Sequence, residues 1–316
     1  MNVLILSVAA KVLLVQAFQS AVAPYGGRVL AADLDRESAG LHFADGVVSL
    51  PGVDAAGFAR ALLKVCKDEG VSLVVPTRDG DLAELSRLKD RFRAEGVEVF
   101  VPGPEALADC ADKRRFVAAC ARLGLKTPRT WGTDERPDAF PVYVRPVRGA
   151  AGRGGRRIEA QDWKPQGEDM LVQAFCPLPE YSIDVLMDLY GAPLQAVARR
   201  RLQVRAGEAV KSRVEVAAVL TESALRLCAG LGLVAHNVVQ AFWDGQGEPL
   251  FIEVNPRFGG ASNLSIQAGL ASPERLVMLV AGKGEAARTP RPIRYGLTML
   301  RYSQDALVAA ERQDGA

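Results

Sequence analysis

The chain contains only two histidines, His42 and His236, and five cysteines: Cys66, Cys110, Cys120, Cys176 and Cys228. With so little histidine, neither a histidine-based metal cluster nor a histidine-containing triad is expected. The cysteines are dispersed, odd in number and never in a CxxC pair. That pattern suits a reducing compartment better than a disulfide framework, and the expected location is the cytoplasm. Charge of one sign is also lacking. The formal net charge is +2 and no long basic run occurs, so composition makes no case for a nucleic-acid partner. The densest positive spots, Arg156-Arg157 and Arg199-Arg200-Arg201, read on their own as solvated faces. No stretch is long and apolar enough to span a membrane. Val3 to Val22 is apolar and Ala21-Val22-Ala23 mimics a signal-cleavage site, but no positive region precedes the run and Lys11 interrupts it. A short strand followed by an amphipathic helix is the better reading. Finally, Ser7-Val8-Ala9-Ala10-Lys11 stands where a G-x-G-x-x-G would follow the first strand. This argues against a dinucleotide cofactor and against a Rossmann oxidoreductase.

What is present is an ordinary globular composition, 49% hydrophobic and 24% charged over 316 residues, a length that suggests roughly two domains. Up to Pro102 the pattern alternates strand and helix. Val3–Leu6, Val29–Ala32, Val47–Leu50, Leu73–Val75 and Val97–Val101 read as strands, with helices over Lys11–Ala23, around Phe58, Leu62, Val65 and Cys66, and around Leu82, Leu85 and Leu88. Repeated βα units predict a parallel sheet covered on both faces. Asp33-Leu34-Asp35 and Thr77-Arg78-Asp79 fall at strand ends, where they could touch a ligand or cap the next helix. Beyond Pro104 the grammar becomes α+β. A helix spans Lys113–Leu123, and strands are joined by turns at Tyr190-Gly191-Ala192, Arg205-Ala206-Gly207-Glu208 and Asp244-Gly245-Gln246-Gly247. The expected division is a Rossmann-like domain over 1–103, a second α+β region over 104–302 and a polar tail over 303–316.

The most informative stretch is Phe251-Ile252-Glu253-Val254-Asn255-Pro256-Arg257-Phe258-Gly259-Gly260. Residues two apart on a strand share a side, so Glu253 and Asn255 aim together. A carboxylate beside an amide oxygen suits a hard cation such as Mg²⁺, which also takes substrate phosphates. Arg257 adds a fork of donors for an anion, and Gly259 and Gly260 let a ligand approach the backbone. Hairpin pairing could set Gln240 beside Glu253 as a third oxygen donor. Upstream, the strand Pro141–Pro146 delivers Arg145 to one end. It is followed by Gly149-Ala150-Ala151-Gly152-Arg153-Gly154-Gly155, whose backbone N–H groups could close over phosphates as a mobile lid. Gln173, Ala174 and Phe175 could offer backbone groups and an aromatic wall to a purine, and Glu180 could hold ribose hydroxyls.

Taken in order, Asp112-Lys113, Val144-Arg145-Pro146, the glycine-rich loop, Gln173 to Phe175, Glu180, Gln240 and Glu253-Val254-Asn255-Pro256-Arg257 resemble the ATP-grasp superfamily. The resemblance is greatest to the large subunit of carbamoyl phosphate synthetase and its single-module relatives, and it covers nearly the whole chain. It implies a Rossmann-like pre-ATP-grasp domain followed by an ATP-grasp fold of two α+β subdomains. It implies ATP and Mg²⁺ as cofactors. Lys113 and Arg145 would contact phosphates, and Gly149, Ala150, Gly152 and Gly154 would fold over them. Gln173, Ala174 and Phe175 would line the adenine site, and Glu180 would hold the ribose. Glu253 and Asn255 would bind Mg²⁺ with Gln240 assisting. Arg257 would stabilise the anionic intermediate, with Lys211 a weaker candidate for the phosphates or substrate. The implied activity is ligation of a small-molecule carboxylate to an amine through an acyl phosphate. The alternative is a nucleotide-binding regulatory module without turnover. A homodimer is compatible with the resemblance. One module cannot be the tandem synthetase itself.

Overall fold

The computed structural model describes residues 1–149 and 153–308. Strands β1 (Asn2–Leu6), β2 (Val29–Ala32), β3 (Gly46–Val47), β4 (Val71–Pro76) and β5 (Glu98–Val99) form a parallel sheet in the order β3-β2-β1-β4-β5. Helices α1 (Val12–Val22), α2 (Ala39–His42), α3 (Phe58–Asp68) and α4 (Asp79–Ala94) connect them. Side chains alternate along β1. Val3 and Ile5 pack with Val15 and Phe18 of α1, while Leu4 and Leu6 pack with Leu62 of α3 and Leu85 and Phe92 of α4. A strand covered on both faces must be apolar throughout, which is why β1 reads as an unbroken hydrophobic run. The edge strands β3 and β5 are shorter than the predicted Val47–Leu50 and Val97–Val101. Each has a single neighbour, and Pro51 and Pro102 follow closely, so the ladder ends early.

Helices α5 (Pro104–Ala111) and α6 (Lys113–Arg122) lead into two antiparallel sheets. The smaller consists of β6 (Thr130–Trp131), β7 (Val142–Pro146), β8 (Arg156–Ile158) and β9 (Met170–Ala174), in the order β6-β9-β7-β8. The larger contains β10 (Glu180–Met187), β11 (Pro193–Arg205), β12 (Glu208–Val214), β13 (His236–Phe242), β14 (Leu250–Asn255) and β15 (Thr298–Leu300), in the order β14-β13-β10-β11-β12-β15. All three predicted turns join antiparallel neighbours of the larger sheet. One face of this sheet carries Ile183, Val185, Val239 and Val254 against Phe116 of α6 and Leu220, Ala224 and Leu227 of α7 (Ala218–Gly230). Strand alternation therefore turns Glu180, Ser182, Asp184, Arg199, Arg201, Gln240, Glu253 and Asn255 to the opposite face. Helices α8 (Ser262–Ser265), α9 (Ser272–Val280) and α10 (Gly284–Arg288) follow.

The N-terminal sheet and the larger antiparallel sheet share a core. Phe18 of α1 meets Phe258 edge-on at 5.7 Å, and Val15, Val197, Val214, Leu264 and Leu276 belong to the same cluster. The turn after β14 is thus held from both sides. No helix among the described residues is long and apolar enough to cross a membrane, and residues 303–308 carry neither helix nor strand.

All five cysteines are free. Burial pushes the Cys66 and Cys120 thiols up to about 12 and raises Cys228 well above the ordinary range. Since the thiolate is the reactive form, iodoacetamide at pH 8 should leave Cys66, Cys120 and Cys228 unmodified in the folded protein and alkylate all five in denaturant. Peptide mass spectrometry reads this directly. Rapid native labelling of Cys66 or Cys228 would show that the packing around α3 or α7 opens.

Candidate active site

A cavity of about 520 Å³ lies between the two antiparallel sheets and is closed at one end by the turn after β14. The smaller sheet contributes Tyr143 and Arg145, which alternate with the core residues Val142 and Val144. Lys113 enters from the first turn of α6. Asp112 caps that helix, its Oδ1 accepting from the backbone N–H of Arg114 and Arg115 at 2.9 and 3.2 Å. Lys113 is 7% exposed, and its Nζ donates to the Gly149 carbonyl at 2.9 Å. Burial lowers its pKa, Arg145 adds to the effect, and Glu253 opposes it. Arg145 is equally enclosed. Its Nη2 donates to Gln173 Oε1 at 2.8 Å and to the Ile252 carbonyl at 3.1 Å, its Nη1 stands 3.9 Å from Glu253 Oε2, and its Nε has no partner.

On the opposite wall, β13 and β14 pair in a register that sets Gln240 against Glu253. The amide of Gln240 is best oriented with its oxygen accepting from Arg201 Nη1 at 3.1 Å and its nitrogen donating to Glu253 Oε1 at 3.2 Å. In that orientation the oxygen of Gln240 is engaged by a guanidinium that sequence reading left on a solvated face. Asn255 Nδ2 approaches Glu253 Oε1 at 3.4 Å, and Asn255 Oδ1 accepts from Arg257 Nη2 at 3.3 Å. Arg257 also grips Asp79, Nε to Oδ1 at 2.7 Å and Nη2 to Oδ2 at 2.6 Å. Asp79 is the first residue of α4, so the N-terminal domain supplies the anchor of the predicted catalytic arginine. Two other strand-end residues serve the turn after β1, while Asp35 accepts from the Glu37 N–H and Arg78 pairs with Asp81. Asp33 Oδ2 accepts from the Ala9 N–H at 2.7 Å, and Thr77 Oγ1 donates to the Ser7 carbonyl at 2.6 Å. Ser7 and Ala9 both take positive φ in that turn, so left-handed backbone occurs there without glycine.

Of the predicted residues, the structure brings Lys113, Arg145, Gly149, Glu180, Gln240, Glu253, Asn255 and Arg257 to this cavity. Others are not on its wall. Gln173 lies on β9, with its side-chain amide oxygen accepting from Arg145. The backbone N–H groups of Ala174 and Phe175 are taken by the carbonyls of Arg129 and Pro141, and the Phe175 ring sits beneath Arg157 at 4.7 Å. Lys211 is exposed on β12 and Gly154 packs toward Pro146. Ala150 and Gly152 lie outside the described residues.

The largest departure from the sequence reading is Arg199-Arg200-Arg201. Arg199 is 1% exposed and Arg201's side chain 6%. Arg201 Nη1 pairs with Glu180 Oε1 at 2.9 Å. Burial raises the Glu180 pKa, Arg201 opposes the rise, and Glu253 adds to it. Arg199 Nε bonds Asp184, which also accepts from Ser262 and Ser265 and lies 3.0 Å from His236 Nε2. No local signal marked them, because three consecutive arginines put charge on both sides of β11. Which of the three turn inward was decided only by the face of β11 that meets the cavity.

Residues 166–304 match the family described as "ATP-grasp in the biosynthetic pathway with Ter operon", and residues 3–100 match the PylC-like N-terminal domain. The second half of the chain thus matches an ATP-grasp family. Among curated relatives, the chain is 24% identical over 246 residues to the carbamoyl phosphate synthase large chain of Haemophilus ducreyi, aligning 66% of this chain with 23% of that one. It is 25% identical over 230 residues to mouse mitochondrial pyruvate carboxylase, aligning 62% with 19%. It thus spans about a quarter of the length of these relatives or less. The fold resembles Rhizobium etli pyruvate carboxylase (TM-score 0.73, 17% identity, 94% of this chain and 30% of that one). It also resembles Campylobacter jejuni biotin carboxylase (0.71, 15%, 94% and 74%) and an ADP complex of N5-carboxyaminoimidazole ribonucleotide synthetase (0.69, 13%, 94% and 80%).

Proposed function

We propose that this protein is an ATP- and Mg²⁺-dependent ligase that activates a small carboxylic acid as an acyl phosphate and joins it to an amine. The observation that carries the reading is the opposition, across one cavity, of the buried cations Lys113 and Arg145 to Glu253 and Asn255 on a single strand face. Several of the structurally similar proteins are described as complexes with ADP or an ATP analogue, one of them with magnesium.

The donor set suits a cation that arrives with phosphates. No group of three or more His, Cys, Asp or Glu side chains able to hold a metal occurs among the described residues. Glu253 and the Asn255 oxygen make the partial protein shell that Mg²⁺ uses when phosphates and water complete it. When bound, Mg²⁺ offsets phosphate charge as the carboxylate approaches. Lys113 and Arg145 hold the β- and γ-phosphates and Glu180 takes the ribose. An oxygen of the acid attacks the γ-phosphorus, the bond to the bridging oxygen of ADP breaks, and an acyl phosphate forms. The amine then attacks the acyl carbon and inorganic phosphate leaves. Arg257 offsets the charge of the carboxylate and of the intermediate. The protein's contribution is positioning and electrostatics, so no protein nucleophile is required.

The test is ADP release from ATP and Mg²⁺ against a panel of carboxylates, each with and without amines. Release that needs both partners supports the ligase. ATP binding without release for any pair supports a silent nucleotide-binding module instead. A cytoplasmic setting and small-molecule partners belong to the same proposal, as does a homodimer; a similar 2-oxoglutarate carboxylase domain is described as a dimer.

Asp79 provides a separate check on Arg257. The carboxylate is nearly half exposed, so Asp79→Ala should cost under about 1 kcal/mol of stability. Turnover should nonetheless fall about tenfold, because a misplaced positioning group is costly to the reacting geometry. Unchanged turnover would separate Arg257 from the chemistry.

A further inference from the structure

Arg199 and Arg201 are two residues apart on β11 and both face the cavity. Each already has a carboxylate partner, Asp184 for Arg199 and Glu180 for Arg201. Yet Arg199 Nη1 and Arg201 Nε are buried N–H groups without a hydrogen-bond partner. Buried donors are almost always satisfied, so two left open on one strand, in the wall of a cavity, mark where ligand oxygens belong. Its place in the sheet separates Arg199 from the proposed metal site, while Arg201 stands between the two beside Glu180 and Gln240. Arg199 pairs across to Ser182, Ser182 to Gln240 and Gln240 to Glu253. At roughly 4.8 Å per strand, the backbone at Arg199 is about 14 Å from that at Glu253. Arg199 leans on Asp184, which bonds Ser262, whose hydroxyl accepts from the Gly259 N–H at 2.9 Å. Arg199 is thereby tied to the turn that carries Arg257, at the substrate end.

Resting on the ligase reading, we infer that the acid substrate is a dicarboxylate: one carboxylate reacts beside Arg257, and the second is held by the open N–H groups of Arg199 and Arg201. Both anchors belong to the larger sheet, Arg199 and Arg201 on β11 and Arg257 just after β14, so the acid would lie along one wall of the cavity. A monocarboxylate would leave both donors unpaired, which disfavours it.

The test compares succinate with propionate by calorimetry on the full chain saturated with Mg·ADP. Wild type should bind succinate at least tenfold more tightly than propionate. Arg199→Lys keeps a positive charge against Asp184 but has no second nitrogen for a ligand, and Arg201→Gln removes the other open donor without touching Asp184. Each should weaken succinate at least tenfold; in Arg199→Lys, whose partner Asp184 takes no part in nucleotide binding, ADP affinity should move less than twofold. Succinate binding that is undetectable or no tighter than propionate overturns the inference. So does equal weakening of ADP in Arg199→Lys, which would assign the pair to the phosphates. The measurement needs no turnover. Failure of ADP release with every acid and amine, alongside arginine-dependent succinate binding, would count against the ligase reading alone.

Discussion

Replacing Glu253 with alanine is expected to lower kcat by about a hundredfold or more, on the scale of losing one well-placed electrostatic group, while Tm shifts by no more than about 2–4 °C. Glu253 is the only carboxylate on β14 that faces the cavity, and its side chain is 22% exposed. Gln240 and Asn255 direct amide nitrogens toward Oε1, and Arg145 stands 3.9 Å from Oε2. With alanine these donors can turn to water in an open cavity, so the fold loses little. The proposed metal site loses its one negative ligand. ADP affinity should therefore lose its dependence on Mg²⁺ in a titration with and without EDTA, and turnover should fall with it. Wild-type turnover in this variant would place the metal elsewhere.

The largest stability effect is expected at Asp184. It is fully buried between Arg199, His236, Ser262 and Ser265, and His236 stacks on Phe258 at 4.1 Å. Removing one partner from a buried ion pair costs about 3–5 kcal/mol because the other charge is stranded. Asp184→Ala should sit in that range by denaturant or thermal unfolding. The same group sets part of the acid response. Burial alone would raise its pKa, but Arg199 and His236 outweigh burial and hold it well below the ordinary 3.8. A depressed carboxylate contributes stability that is present above its unfolded pKa and lost as pH falls through the folded one. Wild type should therefore lose stability on the acid side, and Asp184→Asn should start lower near pH 7 and fall less steeply below pH 4. An identical acid slope in the two proteins would show that Asp184 is not ionised as described.

Most of the architecture was legible in the sequence for a local reason. An unbroken apolar run such as Val3–Leu6 admits few uses besides a strand covered on both faces, and turn residues such as those at Asp244–Gly247 limit where hairpins close. The pairing of Gln240 with Glu253 followed from that hairpin. The orientation of the Gln240 amide did not follow, because it depends on Arg201 arriving from β11.

The sequence by itself determined the alternation of elements, the parallel first sheet and the shared side of Glu253 and Asn255, since these rest on periodicity and on contacts between near neighbours. Tertiary structure alone decided that Asp79, 178 residues away in the chain, holds Arg257. It also decided that Arg199 and Arg201 lie buried on the cavity wall, and that Gln173 turns to Arg145 while Ala174 and Phe175 stay off that wall. Those outcomes depend on which distant strands become neighbours. The cost of burying a guanidinium is met only when a carboxylate from another strand is already in place, and no local pattern carries that information.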